Sequence, residues 1–198
     1  EESQLYWYRL ITLIWAPVQF LTLFGILALT ISSDMALIEK IGLFCAMGVL
    51  TGTIGINYAH ELMHKSGKLE RWLADILLAM VLYSHFRSEH LLVHHVHVGT
   101  PKDAVTAKYN ESFYKFFIRV LIQCPASSFK SEIKKLGLKG LPPSDFSNPF
   151  YLYATIQFFM IILSALIGGI FGLFLFLIQA FIAVLLLEIV NYIEHYGL

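Results

Sequence analysis

From Leu10 to Ile31 the chain runs for 22 residues without a charged side chain. At ~1.5 Å of rise per residue such a helix is roughly 33 Å long, enough to cross a hydrocarbon core of ~30 Å. Ile41 to Ala59 is also free of charge, and Phe150 to Val190 carries one acid, Glu188. Helices are the one way a chain of this kind can keep its backbone hydrogen-bonded within lipid. Of the 198 residues, 57% are hydrophobic and 14% charged, more apolar than one soluble core requires. The expected fold class is all-α: an integral-membrane helical bundle with four transmembrane helices, Leu10–Ile31, Ile41–Ala59, Phe150–Ile167 and Phe171–Glu194. A break at Gly168-Gly169 to Gly172 splits the last block into an αα-hairpin.

With four crossings, every Lys and Arg except Lys40 falls on one face, which the positive-inside rule makes cytoplasmic. Trp72 to Phe86 is too short to cross and return, so it is expected as a re-entrant or surface helix. Cys45 and Cys124 have no knuckle or disulfide spacing and read as ordinary apolar residues. The first apolar run lacks the flanks of a cleavable signal. No glycine-rich phosphate loop or nucleic-acid motif is present, and the basic stretch from Lys102 to Lys139 reads as a headgroup-facing or docking surface.

Six of the eight histidines lie in three groups at the ends of apolar segments: His60-Glu61-Leu62-Met63-His64, Glu89-His90-Leu91-Leu92-Val93-His94-His95, and Asn191-Tyr192-Ile193-Glu194-His195. Histidines four apart project from one helix face and can meet one metal ion. His90 and His94 repeat the spacing of His60 and His64, while His95 lies about 100° further round and points to a different position. Three ligands aimed at two places suggest two metals, closed by His195 from another helix. A lone histidine near a membrane end is more often a hydrogen-bonded interface residue. Six on one side of a bilayer are costly unless they pair or bind metal.

Imidazole suits zinc, copper, iron and nickel, and the lack of nearby thiolates argues against iron–sulfur or copper(I). Six histidines exceed the needs of one tetrahedral ion, which favours a dinuclear iron centre. Glu61, Glu89 and Glu194, each beside a ligand candidate, are expected to orient the imidazoles from behind. Asn191, His85 and Asp103 are further candidates for such support. His60-Glu61-x-x-His64 also fits a zinc metalloprotease, in which Glu61 is the general base, but the other histidines have no task there. A non-catalytic metal-binding membrane protein is a further alternative.

The three histidine runs, with Val98-Gly99-Thr100-Pro101-Lys102-Asp103 and the closing Tyr196-Gly197-Leu198, resemble the membrane-bound alkane 1-monooxygenase family over most of the chain. The resemblance implies a non-haem di-iron enzyme that uses dioxygen to hydroxylate the terminal methyl of n-alkanes. It also implies electrons from rubredoxin and its reductase, with the site facing the cytoplasm of a bacterial inner membrane. His60, His64, His90, His94, His95 and His195 become iron ligands, and residues 1–198 one membrane-embedded di-iron hydroxylase domain. The substrate would arrive from membrane lipid along a slot lined by residues such as Ile54, Ile56, Phe158 and Phe181. The related alternative is a fatty-acid desaturase or another membrane di-iron hydroxylase. A further family box of the type Gln-Arg-His-Ser-x-His-His and an upstream helical pair have no counterpart, so the chain reads as an internal fragment, incomplete at both ends and inactive alone.

Overall fold

The computed structural model describes residues 2–197; Glu1 and Leu198, the first and last residues of the fragment reading, lie outside them. Among the described residues every regular element is helical, apart from an isolated bridge between Ala107 and Tyr196. Three segments are long and apolar enough to cross a membrane: Tyr6–Ser32, Leu37–Met63 and Pro149–Glu194. The chain is an integral membrane protein by this measure. It divides into two compact units: Glu1–Tyr83 with Ile156–Val184, and Ser84–Thr155 with Leu185–Leu198.

The first unit contains α1 (Glu2–Ser32), α2 (Leu37–Leu50), a π-helical turn (Thr51–Gly55), α3 (Ile56–Met63), α4 (Lys68–Met80) and the middle of α8 (Pro149–Glu194). The turn from α1 into α2 is held by Lys40, whose ammonium donates to the Ser33 carbonyl at 2.9 Å, and by the Glu39 carboxylate, which accepts from the Ala36 amide at 2.8 Å. Leu23, Leu27, Phe44, Leu175 and Phe176 form a fully buried core, whereas Leu29, Leu166 and Ile170 are 71, 78 and 89% exposed. An apolar outer surface of that kind suits lipid.

The expected break in the last block is present. Gly168 and Gly169 leave helical geometry, Gly169 at φ 60°, where a side chain is strained. A Cβ built on Gly172 would stand 2.8 Å from the Ser164 carbonyl oxygen, a contact that two residues eight apart make only where the chain doubles back. The surface segment differs in extent from the expected Trp72–Phe86. Its helix is Lys68–Met80, and the chain turns through Leu82 at φ 55°. The Gln179 amide closes this end, donating to the Met80 carbonyl at 2.7 Å and accepting from the Thr51 hydroxyl at 3.0 Å.

Gly48 and Gly52 bring α2 and α8 into backbone contact. A Cβ on Gly48 would meet the Gln179 carbonyl oxygen at 2.7 Å, and one on Gly52 the Ala183 Cα at 2.8 Å. Small residues four apart at a membrane helix crossing permit this approach. Gly52→Val is expected to push the helices apart and to destabilise by about 1–3 kcal/mol or more, measured as a lower unfolding temperature in detergent, with Gly42→Val as the open-space control.

The second unit holds α5 (Phe86–Glu89), a second π-helical turn (His90–His94), α6 (His95–His97), α7 (Phe113–Gly137) and both ends of α8. Ala104, Val105, Ala107, Phe116, Val120 and Cys124 are its apolar centre, with Phe113 and Tyr192 against it. The Tyr192 hydroxyl donates to the Glu111 carbonyl at 2.5 Å, and the Gly197 amide to the Ala107 carbonyl at 3.2 Å. These contacts fix the end of α8 on the 104–111 loop and set the position of His195.

Candidate metal centre

The segment carrying His90, His94 and His95 is wound as a π-helix rather than an α-helix. Its i→i+5 bonding takes in an additional residue per turn, so His95 stands nearer to His90 than His94 does. Their ring centroids are 4.3 Å apart and their Nε2 atoms 2.9 Å apart. The α-helical expectation that His95 points away from His90 is thereby corrected. His94 faces His195 instead, with centroids 4.7 Å apart. Two pairs result, His90 with His95 and His94 with His195.

The hydrogen bonds select which nitrogen each ring presents. His94 Nδ1 lies 2.9 Å from Asp103 Oδ2, and His195 Nδ1 lies 2.9 Å from the Asn191 carbonyl oxygen. Both acceptors require Nδ1 to carry the proton, which leaves Nε2 as the lone-pair atom, the arrangement of a carboxylate–histidine–metal triad. His90 and His95 also meet through Nε2. Their 2.9 Å separation is that of a hydrogen bond between the two rings, and it brings together two nitrogens that one ion could share in place of the proton.

Asp103 is held in turn. Its Oδ1 accepts from the Val105 amide at 3.0 Å, and its Oδ2 from the Thr106 hydroxyl at 2.7 Å. Burial raises its affinity for a proton, but the bonds from His94, Thr106 and Val105 outweigh burial and hold Asp103 below the usual carboxylate range. Glu89 is 1% exposed; its Oε2 accepts from the Ser127 hydroxyl at 2.6 Å, and its Oε1 is buried with no hydrogen-bond partner among the described residues. Burial first, then the charge of Asp103, pushes Glu89 up to about 7. Glu188, also buried, accepts from the Asn191 side-chain amide at 3.1 Å. Imidazole nitrogens with buried carboxylates close behind them are a donor set that fits iron.

In the first unit His60 and His64 lie edge to face, their centroids 4.8 Å apart. Glu61 forms an ion pair with Lys65 at 2.6 Å. Glu194 is exposed, and the backbone of Asn191 holds His195. His85 is kept neutral by burial, which lowers it to about 4. Ile56 is buried, whereas Ile54, Phe158 and Phe181 are 40, 63 and 54% exposed. Sequence reasoning missed Thr106, Ser127 and Glu188. The Asp103-x-Val105-Thr106 pattern carried a signal, since aspartate commonly accepts from the amide two residues on.

Residues 40–198 match the family model described as fatty acid desaturase. The chain belongs to this family. Within it, the chain is 39% identical over 167 residues to alkane 1-monooxygenase 2 of Alcanivorax borkumensis, covering 84% of this chain and 44% of that protein. It is 38% identical over 198 residues to alkane 1-monooxygenase 1 of Pseudomonas aeruginosa, covering 97% and 50%. The xylene/toluene monooxygenase hydroxylase component of Pseudomonas putida is 27% identical over 161 residues, covering 81% and 44%. The chain thus spans half or less of the length of these curated relatives. The resemblance read from the histidine runs holds at family level.

Glu89 makes this desaturase-family centre sensitive to pH in the metal-free protein. Because the fold raises its carboxyl, the folded chain keeps a proton that the unfolded chain has lost between the ordinary value of 4.5 and about 7. Stability is full below that window, falls as pH rises through it, and is flat above about 7. Unfolding temperature measured across this range in metal-free detergent solution should show the decline, and Glu89→Gln should remove it.

Proposed function

We propose that the chain is the core of an enzyme that hydroxylates the terminal carbon of n-alkanes at a histidine-ligated di-iron centre. His60, His64, His90, His94, His95 and His195 are ligands in this reading, Asp103 and Asn191 fix imidazole orientation, and rubredoxin with its reductase supplies electrons. In this reading the hairpin at Gly168-Gly169 counts as two crossings of four and the site faces the cytoplasm of a bacterial inner membrane, an orientation supported by the basic residues that then share that side. The observation that carries the proposal is the gathering of four histidines in two pairs, His90 with His95 through Nε2 and His94 against His195 ring to ring, the latter two tied at Nδ1, in a relative of alkane 1-monooxygenases.

The reaction balances as R–H plus dioxygen plus two electrons and two protons, giving R–OH and water. Iron, when bound, supplies the dioxygen chemistry that no side chain can perform on an unactivated methyl group. The chain's own residues do the rest. Asp103 and the Asn191 carbonyl hold the His94 and His195 rings so that Nε2 faces the centre. Glu89 offers a buried carboxyl that takes up and releases a proton near neutral pH. Apolar helices admit a lipid-dissolved chain and keep bulk water from it.

The test is a membrane preparation of the complete protein with octane, NADH, rubredoxin and its reductase under ¹⁸O₂. Labelled 1-octanol is the expected product. A desaturated product from an acyl substrate, with no alcohol from octane, would assign the centre to desaturation, the reading that the family model's description favours.

A further inference from the structure

α7 repeats every fourth residue along each of its sides. Phe116, Val120, Cys124, Ser128, Glu132 and Leu136 are all buried. This ridge faces the histidine segment: Ser88 donates to Glu132 Oε1 at 2.7 Å, and Ser127, beside the ridge, donates to Glu89. Another side does the reverse. Tyr114, Ile118 and Ile122 are 80, 61 and 68% exposed, and Leu121 and Phe129 at 38 and 42% widen the strip. The same i, i+4 row continues to Lys130 and Lys134, but each step turns it about 40° round the helix, so the two exposed lysines stand to the flank of Ile122 rather than on its face. A third side is polar, through Gln123, Ser127 and Ser131.

We infer that α7 lies along the membrane surface, with Tyr114, Ile118 and Ile122 among the lipid acyl chains and Lys130 and Lys134 on anionic phosphate headgroups. The inference rests on the chain being a membrane protein and not on the reaction it performs. α7 is too polar in its second half to span, yet its exposed strip is too apolar to face water, a combination that favours the interface plane. The apolar side of α8 begins at Pro149, twelve residues after α7 ends at Gly137, so lipid is close along the chain. Tyr109 before α7 is 87% exposed, an aromatic residue of the type that collects at the headgroup level, and Phe146 in the connection, 89% exposed, adds apolar surface. Lysine decides between lipid and a protein partner. It is depleted at the centre of protein interfaces and enriched on the polar margin of interfacial helices. Since the opposite ridge grips Ser88 and Glu89, the lipid contact sets the depth at which the His90–His94 turn is held.

The test uses the full chain in lipid nanodiscs, with Cys45 replaced by alanine, the buried Cys124 retained, and single nitroxide labels at positions 118, 122, 123 and 131. Collision with dissolved oxygen should exceed collision with a water-soluble nickel chelate at Ile118→Cys and Ile122→Cys, and the order should reverse at Gln123→Cys and Ser131→Cys. Phosphatidylglycerol in place of phosphatidylcholine should deepen the labels at 118 and 122, and Lys130→Gln with Lys134→Gln should cancel that shift. Nickel-dominated collisions at 118 and 122 would place the strip in water and overturn the inference. Shielding from both probes would mean that protein covers the strip, which overturns it equally. A depth indifferent to lipid charge would overturn the headgroup assignment of the lysines. None of these readouts depends on iron or turnover, so alkane hydroxylation can fail while this inference stands, and the reverse.

Discussion

His94→Ala in the complete enzyme is expected to lower bound iron to half or less of the native content and to abolish alcohol formation. His94 is the one imidazole that joins both parts of the second unit's site, since Nδ1 meets Asp103 and its ring meets His195. Removing it leaves the Asp103 carboxylate buried without its imidazole partner, a costly state in its own right. Asp103→Asn separates orientation from ligation. An asparagine can offer its amide to Nδ1 and so select the wrong tautomer, and metal affinity is expected to fall by about 10–100-fold with His94 still present. Iron per chain by elemental analysis, together with octanol yield, reads both variants. Full iron occupancy with normal turnover in His94→Ala would remove His94 from the ligand set.

Those parts of the molecule that depend on one-dimensional pattern were legible in the sequence. Charge-free length identified the apolar helices, and Gly168-Gly169 identified the break because only glycine tolerates that backbone. The ligand spacing was legible as well, but its three-dimensional pairing was not. A π-helical turn has no compositional signature, and it is what brings His95 closer to His90 than His94 is. Sequence adjacency is a partial guide. Glu61 pairs with Lys65 and Glu194 is exposed, since neighbours on a helix point about 100° apart. The support for His195 comes from Asn191, one turn away and on the same side, and that for His94 from Asp103, nine residues on in a loop. Thr106, Ser127 and Arg119 resemble ordinary surface residues in the sequence, because their partners are fixed only by tertiary packing.

Arg119→Ala is expected to be the most destabilising single change in the second unit, by about 3–5 kcal/mol, the range for breaking a buried ion pair. Its guanidinium donates to both Glu111 oxygens at 2.9 and 2.7 Å, to the Ala104 carbonyl at 2.6 Å and to the Thr106 carbonyl at 3.2 Å. The two charged side chains are 13 and 11% exposed, so water cannot fully replace what the arginine supplies. Without it, the Glu111 carboxylate keeps only the Lys108 amide as a donor among the described residues, two carbonyls lose the arginine at once, and the loop that presents Asp103 to His94 loses its brace. Arg119→Lys keeps the charge but offers a compact ammonium in place of a planar fork, so it can restore part of the ion pair without reaching all four acceptors. Unfolding temperature should therefore rank native above Arg119→Lys above Arg119→Ala, and iron content should follow the same order, because the orientation of His94 depends on the loop. A native-like unfolding temperature in Arg119→Ala would show that the 104–111 loop is held by its apolar centre alone.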